Sequence, residues 1–403
     1  MVQRRLPRWA EISPLLGRRD PPTSRLQSRL ERCASIGDIR ALARRRVPPA
    51  VFDYVDGAAG TETTLRRSRQ AYARVQFNPR VLRDVSEVDL SRDLLRARSA
   101  LPFAFAPTGF TRMMHHVGEP AVASVAGEAG IPYALSTFGT TSLEDLAAAA
   151  PATRRWFQLY VWRDRRGTEE LVQRAAAAGY DALILTVDTA VGGIRWRDVR
   201  NGLTVPPRLS ARTLAQMALY PRWWANLLTT QPLEFASLSS TGGTAGDLLT
   251  NVLDPTIGAD HVGWLRSIWS GPLMLKGVQS VEDARIAADL GVDAIVLSNH
   301  GGRQIDMGNV PLELLPDVAA AVGDRVEVYV DGGITTGADI VAALALGARG
   351  TLVGRAYLYG LMAGGAEGVR RVVGILEKDL RTTMQLLGVS SIGDLEPGHV
   401  TLR

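Results

Sequence analysis

One unit recurs along this chain and limits what it can fold into. An alanine-rich stretch ends in glycine, and a short apolar run follows. It occurs as Ala126–Gly127–Glu128–Ala129–Gly130 before Tyr133–Ala134–Leu135–Ser136, and as Ala176–Ala177–Ala178–Gly179 before Ala182–Leu183–Ile184–Leu185–Thr186. Further copies are Ala287–Ala288–Asp289–Leu290–Gly291 before Ala294–Ile295–Val296–Leu297, and Ala345–Leu346–Gly347 before Thr351–Leu352–Val353–Gly354. The glycine stands where a helix end needs a left-handed residue. Helix starts carry capping-box spacing at Ser142 with Asp145, Ser280 with Asp283 and Thr336 with Asp339. Strands apolar on both faces, alternating with helices, imply a parallel sheet covered by helices.

The candidate strands are Phe103–Ala106, Tyr133–Ser136, Trp156–Tyr160, Leu183–Val187, Leu273–Lys276, Ile295–Ser298, Val326–Val330 and Thr351–Val353. Eight parallel strands in about 250 residues is the arithmetic of a (β/α)8 TIM barrel. A doubly wound open sheet is the alternative. Residues 1–35 read as a basic N-terminal arm and 36–100 as an N-terminal helical cap. Residues 101–403 read as the barrel, with a long insertion at 196–260 after strand four and helices at the C-terminus. In the cap, Pro48–Pro49 separates two helices and Asp56–Gly57–Ala58–Ala59–Gly60 closes the second. An insertion of that length is more often a lid or a contact surface than filler.

Composition narrows the classes. With 403 residues and 46% hydrophobic content, one large core is affordable. The net charge of +5 owes much to early arginines such as Arg4, Arg5, Arg18, Arg19 and Arg44–Arg45–Arg46. Such an arm suits an anionic partner, but no nucleic-acid-binding motif accompanies it, so no nucleic acid is expected. The single cysteine, Cys33, excludes an intrachain disulfide; no Cys/His cluster offers a metal site, and a cytoplasmic location is expected. No apolar run is long enough to span a bilayer, and the first residues lack the apolar core of a secretory signal.

In a barrel of this kind the site is built where strands finish. Strand one ends in Pro107–Thr108–Gly109 and strand two in Ser136–Thr137. Strand three carries Gln158 and ends in Tyr160. Strand four carries Thr186 and ends in Asp188, with Arg195 beyond. Strand five ends in Lys276, one of only two lysines in the chain. Strand six ends in Ser298–Asn299–His300, with Arg303 beyond; strand seven in Asp331–Gly332–Gly333; strand eight in Gly354–Arg355. A histidine can move a proton near neutral pH, and an arginine can grip a carboxylate through paired hydrogen bonds. The glycines of strands seven and eight, with Arg355, suit a phosphate. No GxGxxG fingerprint follows a strand, so a Rossmann site is not favoured.

These motifs resemble the FMN-dependent α-hydroxy-acid oxidase/dehydrogenase family. The resemblance rests on Asp53–Tyr54 with Gly57–Ala58, Ala106–Pro107–Thr108, Phe157–Gln158–Leu159–Tyr160, Thr186–Val187–Asp188, Leu275–Lys276–Gly277, Ser298–Asn299–His300–Gly301 and Asp331–Gly332–Gly333. Within the family it is most similar to actinobacterial quinone-linked L-lactate dehydrogenases, through the arginine-rich arm, Asp198–Gly202, Pro221–Arg222–Trp223–Trp224 and Ala356–Gly365. The resemblance implies FMN as cofactor and oxidation of an L-2-hydroxy acid such as L-lactate. It makes His300 the base, oriented by Asp188. Arg195, Arg303 and Tyr54 hold the substrate carboxylate, and Tyr160 the hydroxyl. Lys276 lies near the flavin. Pro107, Thr108, Gly109, Ser136, Gln158, Thr186, Ser298, Asp331, Gly332, Gly333, Gly354 and Arg355 complete the cofactor site. A quinone or similar electron acceptor and a homo-oligomer, a tetramer by family analogy, follow from the same resemblance.

Three residues depart from the family pattern. Thr335 stands where the family often supplies a phosphate-region arginine. Phe138 replaces the tryptophan of glycolate oxidases near the substrate side chain. Gly109 is closer to dehydrogenase members than to oxidases. Rival readings are an oxidase that makes hydrogen peroxide, a dehydrogenase of another acid such as mandelate, and a non-catalytic flavin-binding protein. The insertion residues Arg222, Trp223, Trp224, Leu227 and Leu228 suit either peripheral contact with the inner face of the cell membrane or packing over the barrel mouth.

Overall fold

A computed structural model describes residues 5–13, 24–202, 215, 218–241 and 254–403. Eight strands close into one barrel, each parallel to its neighbours and in chain order. They are β1 (Phe103–Phe105), β2 (Tyr133–Ser136), β3 (Arg155–Leu159), β4 (Ala182–Thr186), β5 (Leu273–Val278), β6 (Ala294–Leu297), β7 (Glu327–Asp331) and β8 (Gly350–Val353). The barrel expectation holds and the open sheet falls away. Strand ends match to about a residue, except that β5 runs past Lys276 to Val278. The register shifts there, between Lys276 and Val278. Gly277 sits at φ 105°, and a Cβ on it would lie 2.6 Å from the Asp188 Cβ. The kink therefore lets strand four's aspartate close on strand five.

The reason for the doubly apolar strands is now explicit. One face of each strand fills the barrel interior with side chains such as Trp156, Ile184, Met274 and Tyr329, plugged from the hairpin Arg92–Leu94/Ala97–Ser99 by Leu94 and Leu95. The other face packs against the surrounding helices. The predicted caps form: Ser142, Ser280 and Thr336 accept from the backbone N–H of Asp145, Asp283 and Asp339.

Before the barrel come α1 (Ile36–Arg44), α2 (Pro49–Asp56) and α3 (Thr63–Ala73). Pro49 opens α2 as its first residue. Gly57 ends it in extended backbone (φ −73°), and Gly60, at the end of the closing stretch, takes the left-handed form at φ 52°. The start of α3 is capped from far away. The Asp306 carboxylate accepts from the N–H of Thr61 at 2.8 Å and of Thr64 at 2.9 Å. Residues 300–306, which begin with the predicted base, are thereby fastened to the cap.

Within the 196–260 insertion lie α4 (Trp196–Asn201) and α5 (Pro221–Leu228). Residues 203–214, 216–217 and 242–253 lie outside the described residues, as do 1–4 and 14–23 of the basic arm, with Arg4, Arg18 and Arg19. The chain's longest helical stretch, α6 (Arg355–Leu387), breaks at Gly364 and Gly365 and doubles back. Its arms touch so closely that a Cβ on Gly368 would lie 1.9 Å from the Gly360 carbonyl oxygen. Gly368→Ala is expected to cost about 2 kcal/mol or more, since backbone and not a pliable side chain must yield. Gly374→Ala, whose new methyl would meet nothing within 4 Å, is the control expected to be neutral or slightly stabilising. Urea unfolding midpoints check both.

Candidate active site

The C-terminal ends of the strands bring the predicted residues to one rim. His300 follows β6 with its backbone at φ 56°, followed by Gly301 and Gly302 at 64° and 73°. A non-glycine residue held there is strained, and the surroundings must hold it. Asn299 does so: its side chain accepts from Gly302 N–H at 3.0 Å and donates to Ser68 Oγ and the Asn309 carbonyl, both at 3.1 Å. The His300 N–H donates to Ser298 Oγ at 3.0 Å.

The imidazole meets Asp188 from β4. Nδ1 lies 3.0 Å from Oδ1 and 3.2 Å from Oδ2 of a carboxylate whose side chain is 1% exposed. Burial alone would raise the Asp188 pKa. The His300 charge and hydrogen bond, with the charge of Lys276, outweigh it and hold the carboxyl at about 2. This pairing orients the ring and engages Nδ1, leaving Nε2 as the nitrogen that can act.

Lys276 on β5 is buried, with Nζ 3.0 Å from Ser298 Oγ and 2.9 Å from Asp331 Oδ2; Ser298 Oγ donates to the same Asp331 oxygen at 2.9 Å. Burial disfavours its charge, but Asp331 and Asp188 more than offset this and raise its pKa. Tyr160 is buried; desolvation and the charge of Asp188 push its phenol pKa up, so it is a hydrogen-bonding group and not an anion.

Arg303 and Arg195 flank the ring of Tyr54, with guanidinium carbons 4.9 and 5.6 Å from its centroid. Arg195 is partnered by Asp198 at 2.6 Å. Arg303 donates to the carbonyls of Tyr54 and Gly57. Burial and then the neighbouring charge of Arg195 bring its pKa down to about 10. Two like charges gathered at one half-buried tyrosine favour an anion between them.

Elsewhere on the rim, Ser136 Oγ and the Thr137 N–H donate to Gln158 Oε1 at 3.0 and 3.2 Å, which turns the Gln158 amine away from them. Gln158 Nε2 and Thr186 Oγ1 are buried and have no partner among the described residues. Thr108 Oγ1 lies 2.5 Å from the hydroxyl of Tyr357, and Pro107 and Gly109 border it. Gly332 and Gly354 leave space: a Cβ would meet only Asn299 at 3.4 Å or Ala106 at 3.7 Å among side chains. Arg355 is nearby but donates to the carbonyls of Val55 at 2.9 Å and Gly57 at 2.7 Å.

Two residues at this rim were not expected. Arg69 on α3 donates to the Gly333 carbonyl and pairs with Asp339 at 2.7 Å, bringing positive charge to the loop where Thr335 replaces the family's arginine. Phe235, from the insertion, packs against Phe110 and Phe138, with centroids 4.6 and 4.9 Å away. Arg69 lay in a helix read only as cap, and Phe235 in a stretch with no repeat; neither carried a motif.

A profile of the FMN-dependent dehydrogenase family matches residues 43–402. A Mycobacterium tuberculosis protein provisionally named L-lactate dehydrogenase is 51% identical over 400 residues, covering 99% of this chain and 97% of its own. An L-lactate dehydrogenase of Caulobacter vibrioides is 43% identical over 369 residues, covering 90% and 96%. Among solved structures, the monotopic membrane protein (S)-mandelate dehydrogenase superposes with a TM-score of 0.89 at 36% identity, covering 92% of this chain and all of that one. The chain belongs to the FMN-dependent dehydrogenases. It is an enzyme of the kind that oxidises a 2-hydroxy acid, and FMN is its cofactor.

The residues present suit that cofactor. A flavin ring offers hydrogen-bonding edges for the unpartnered Gln158 and Thr186 and a place for buried cationic Lys276, while Gly332 and Gly354 leave backbone open to a phosphate.

The low carboxyl pKa of Asp188 makes a stability prediction. A group lowered from 3.8 to about 2 stabilises the fold above the higher value. That contribution is lost as pH falls from about 4 towards 2. Asp188→Asn is therefore expected to flatten the pH dependence of urea-unfolding stability across that window.

Proposed function

We propose that this enzyme oxidises L-lactate to pyruvate and passes the electrons to a quinone or similar acceptor. The observation that carries the reading is the constellation of Asp188, His300 and the Arg195/Arg303 pair around one mouth. Bound FMN supplies the two-electron acceptor. His300 Nε2 takes a proton from the substrate, either from Cα or from the hydroxyl, and Asp188 stabilises the imidazolium that results. Arg303 and Arg195, with Tyr54, hold the substrate carboxylate, and Tyr160 hydrogen-bonds the oxygen that becomes the carbonyl. Lys276 would hold the flavin and supply a fixed positive charge that favours its reduction. Thr108, Ser136, Gln158, Thr186 and Ser298 would hold the ring or ribityl chain, Asp331 fixes Lys276, and Gly332, Gly333, Gly354 and Arg355 would hold the phosphate end.

His300→Ala is expected to retain yellow bound flavin and to lose at least about a thousandfold in the rate of anaerobic bleaching by L-lactate, the scale seen when a catalytic base is removed. Retained bleaching would overturn the assignment. In the wild type, reoxidation of the bleached flavin should be much faster with a soluble quinone than with air; the reverse would make the enzyme an oxidase.

Peripheral attachment to an anionic membrane is part of the proposal. Residues 25–46 carry seven arginines against Glu31 and Asp38. Arg40, Arg44, Arg45 and Tyr220 line one open cleft of about 590 Å³. The neighbouring Arg46 is half-buried, its pKa lowered by burial and by the charges of Arg222 and Arg29. Beside this cleft Leu219, Arg222, Ala225 and Leu228 form an exposed face along α5, while the Trp223 indole is anchored to the Met113 carbonyl at 3.0 Å. The monotopic relative supports the same reading, and among the described residues no helix is long and apolar enough to cross a bilayer. Arg44→Gln/Arg45→Gln/Arg222→Gln is expected to reduce pelleting with phosphatidylglycerol vesicles on the order of a hundredfold, with pelleting of the wild type reversed by salt. A homo-oligomer in the cytoplasm completes the reading.

A further inference from the structure

We infer that Phe235, carried by the insertion, is a positioning residue for substrate selectivity: it braces Phe138 against the site and closes it to bulky 2-hydroxy acids. This rests on the reading of the mouth as a 2-hydroxy-acid site and adds which side chains that site admits.

The insertion segment is fastened to the rim around β1 and β2. The Ala236 N–H donates to the Gly139 carbonyl at 3.1 Å, and Arg112 donates to the Gln231 carbonyl at 2.7 Å. Arg174 holds the Ser237 carbonyl at 2.9 Å. These anchors sit on both sides of Phe235, which is 2% exposed. Its ring stands edge-on to Phe110 and tilted against Phe138. Phe138 in turn lies 5.1 Å, centroid to centroid, from Tyr160, whose phenol feels the charges of Asp188 and Arg303. An unbroken row of rings therefore runs from the insertion to the polar mouth.

Phe138 has little freedom to retreat. Its backbone is pinned by the Phe110 N–H, which donates to its carbonyl at 3.0 Å. Gly109 lies so close that a Cβ there would be 3.0 Å from the Phe138 Cβ. With Phe235 behind it, the Phe138 ring cannot swing outward to make room. A methyl group needs no such room, whereas a phenyl does; close-packed rings resist being displaced. The wall is therefore matched to lactate and short homologues, and it gives the insertion a role in selectivity.

The test uses the FMN-loaded enzyme and the series L-lactate, L-2-hydroxybutanoate, L-2-hydroxy-4-methylpentanoate and (S)-mandelate. Anaerobic bleaching gives kcat/KM, and calorimetry gives the affinities of pyruvate and benzoylformate as a binding readout. Wild type is expected to prefer lactate over mandelate. Phe235→Ala should cut that preference about tenfold or more, chiefly by lowering KM for mandelate and tightening benzoylformate. Phe235→Leu should fall between, and it serves if the alanine variant folds poorly. Phe138→Ala should shift the preference in the same direction. An unchanged ratio in both Phe235 variants beside a shifted one in Phe138→Ala would overturn the bracing role. A wild type that prefers mandelate would overturn the exclusion. Should no acid in the series bleach the flavin, the underlying hydroxy-acid reading fails instead.

Discussion

The contact between Asp188 and His300 joins two strands that are not neighbours in the barrel, and much of the molecule exists to make it. A carboxylate with almost no solvent exposure stays ionised only because positive charge is close by. The kink at Gly277 lets the aspartate in. The left-handed turn at His300 brings the imidazole to it. That turn is strained, so it needs Asn299 beneath and α3, capped by Asp306, behind. The helical cap is thus part of the site's support.

A second buried charge sits one strand away. Lys276 shares Ser298 with Asp331 and also feels Asp188. The mouth therefore holds an alternation of charges, aspartate and lysine, with histidine at its edge. Each neutralises its neighbour enough for burial to be tolerable. The outer arginines are different: Arg303 is bound to carbonyls and lowered by its like-charged neighbour. Inner charges are matched by the protein; of the outer pair, Arg195 has Asp198, whereas Arg303 is held by backbone carbonyls. That contrast separates the groups that set up the chemistry from those that would bind an acid.

The barrel was legible because its cause is local. Alanine-rich helix, left-handed glycine and doubly apolar strand recur, and each copy carries its own boundary. The rim was legible for the same reason, since each residue lies next to a recognisable strand end. Within the closing stretch Asp56–Gly60 the left-handed residue is Gly60 and not Gly57, because glycine permits that form without requiring it. Arg69, Asn299's grip on Ser68 and the capping by Asp306 depend on residues more than two hundred positions apart in sequence. Phe235 sits in the one long stretch without a repeat. No periodicity could announce contacts that exist only once the barrel has closed.

The insertion shows how a fixed scaffold acquires a particular character. The strands and their glycines impose where a base, a lysine and a phosphate-accepting loop can be. They leave the space beside β1 and β2 undefined, because no repeat unit covers it. A segment hydrogen-bonded across that gap can line it with any side chain at little cost to the barrel, since its anchors are backbone carbonyls and one N–H. On its inner side Phe235 packs behind Phe138, which lies against Tyr160 at the mouth, while its outer helix, α5, carries Arg222 and Leu228 toward whatever lies outside. One insertion thereby shapes both the inner wall beside β1 and β2 and an outer exposed face, with the barrel unchanged.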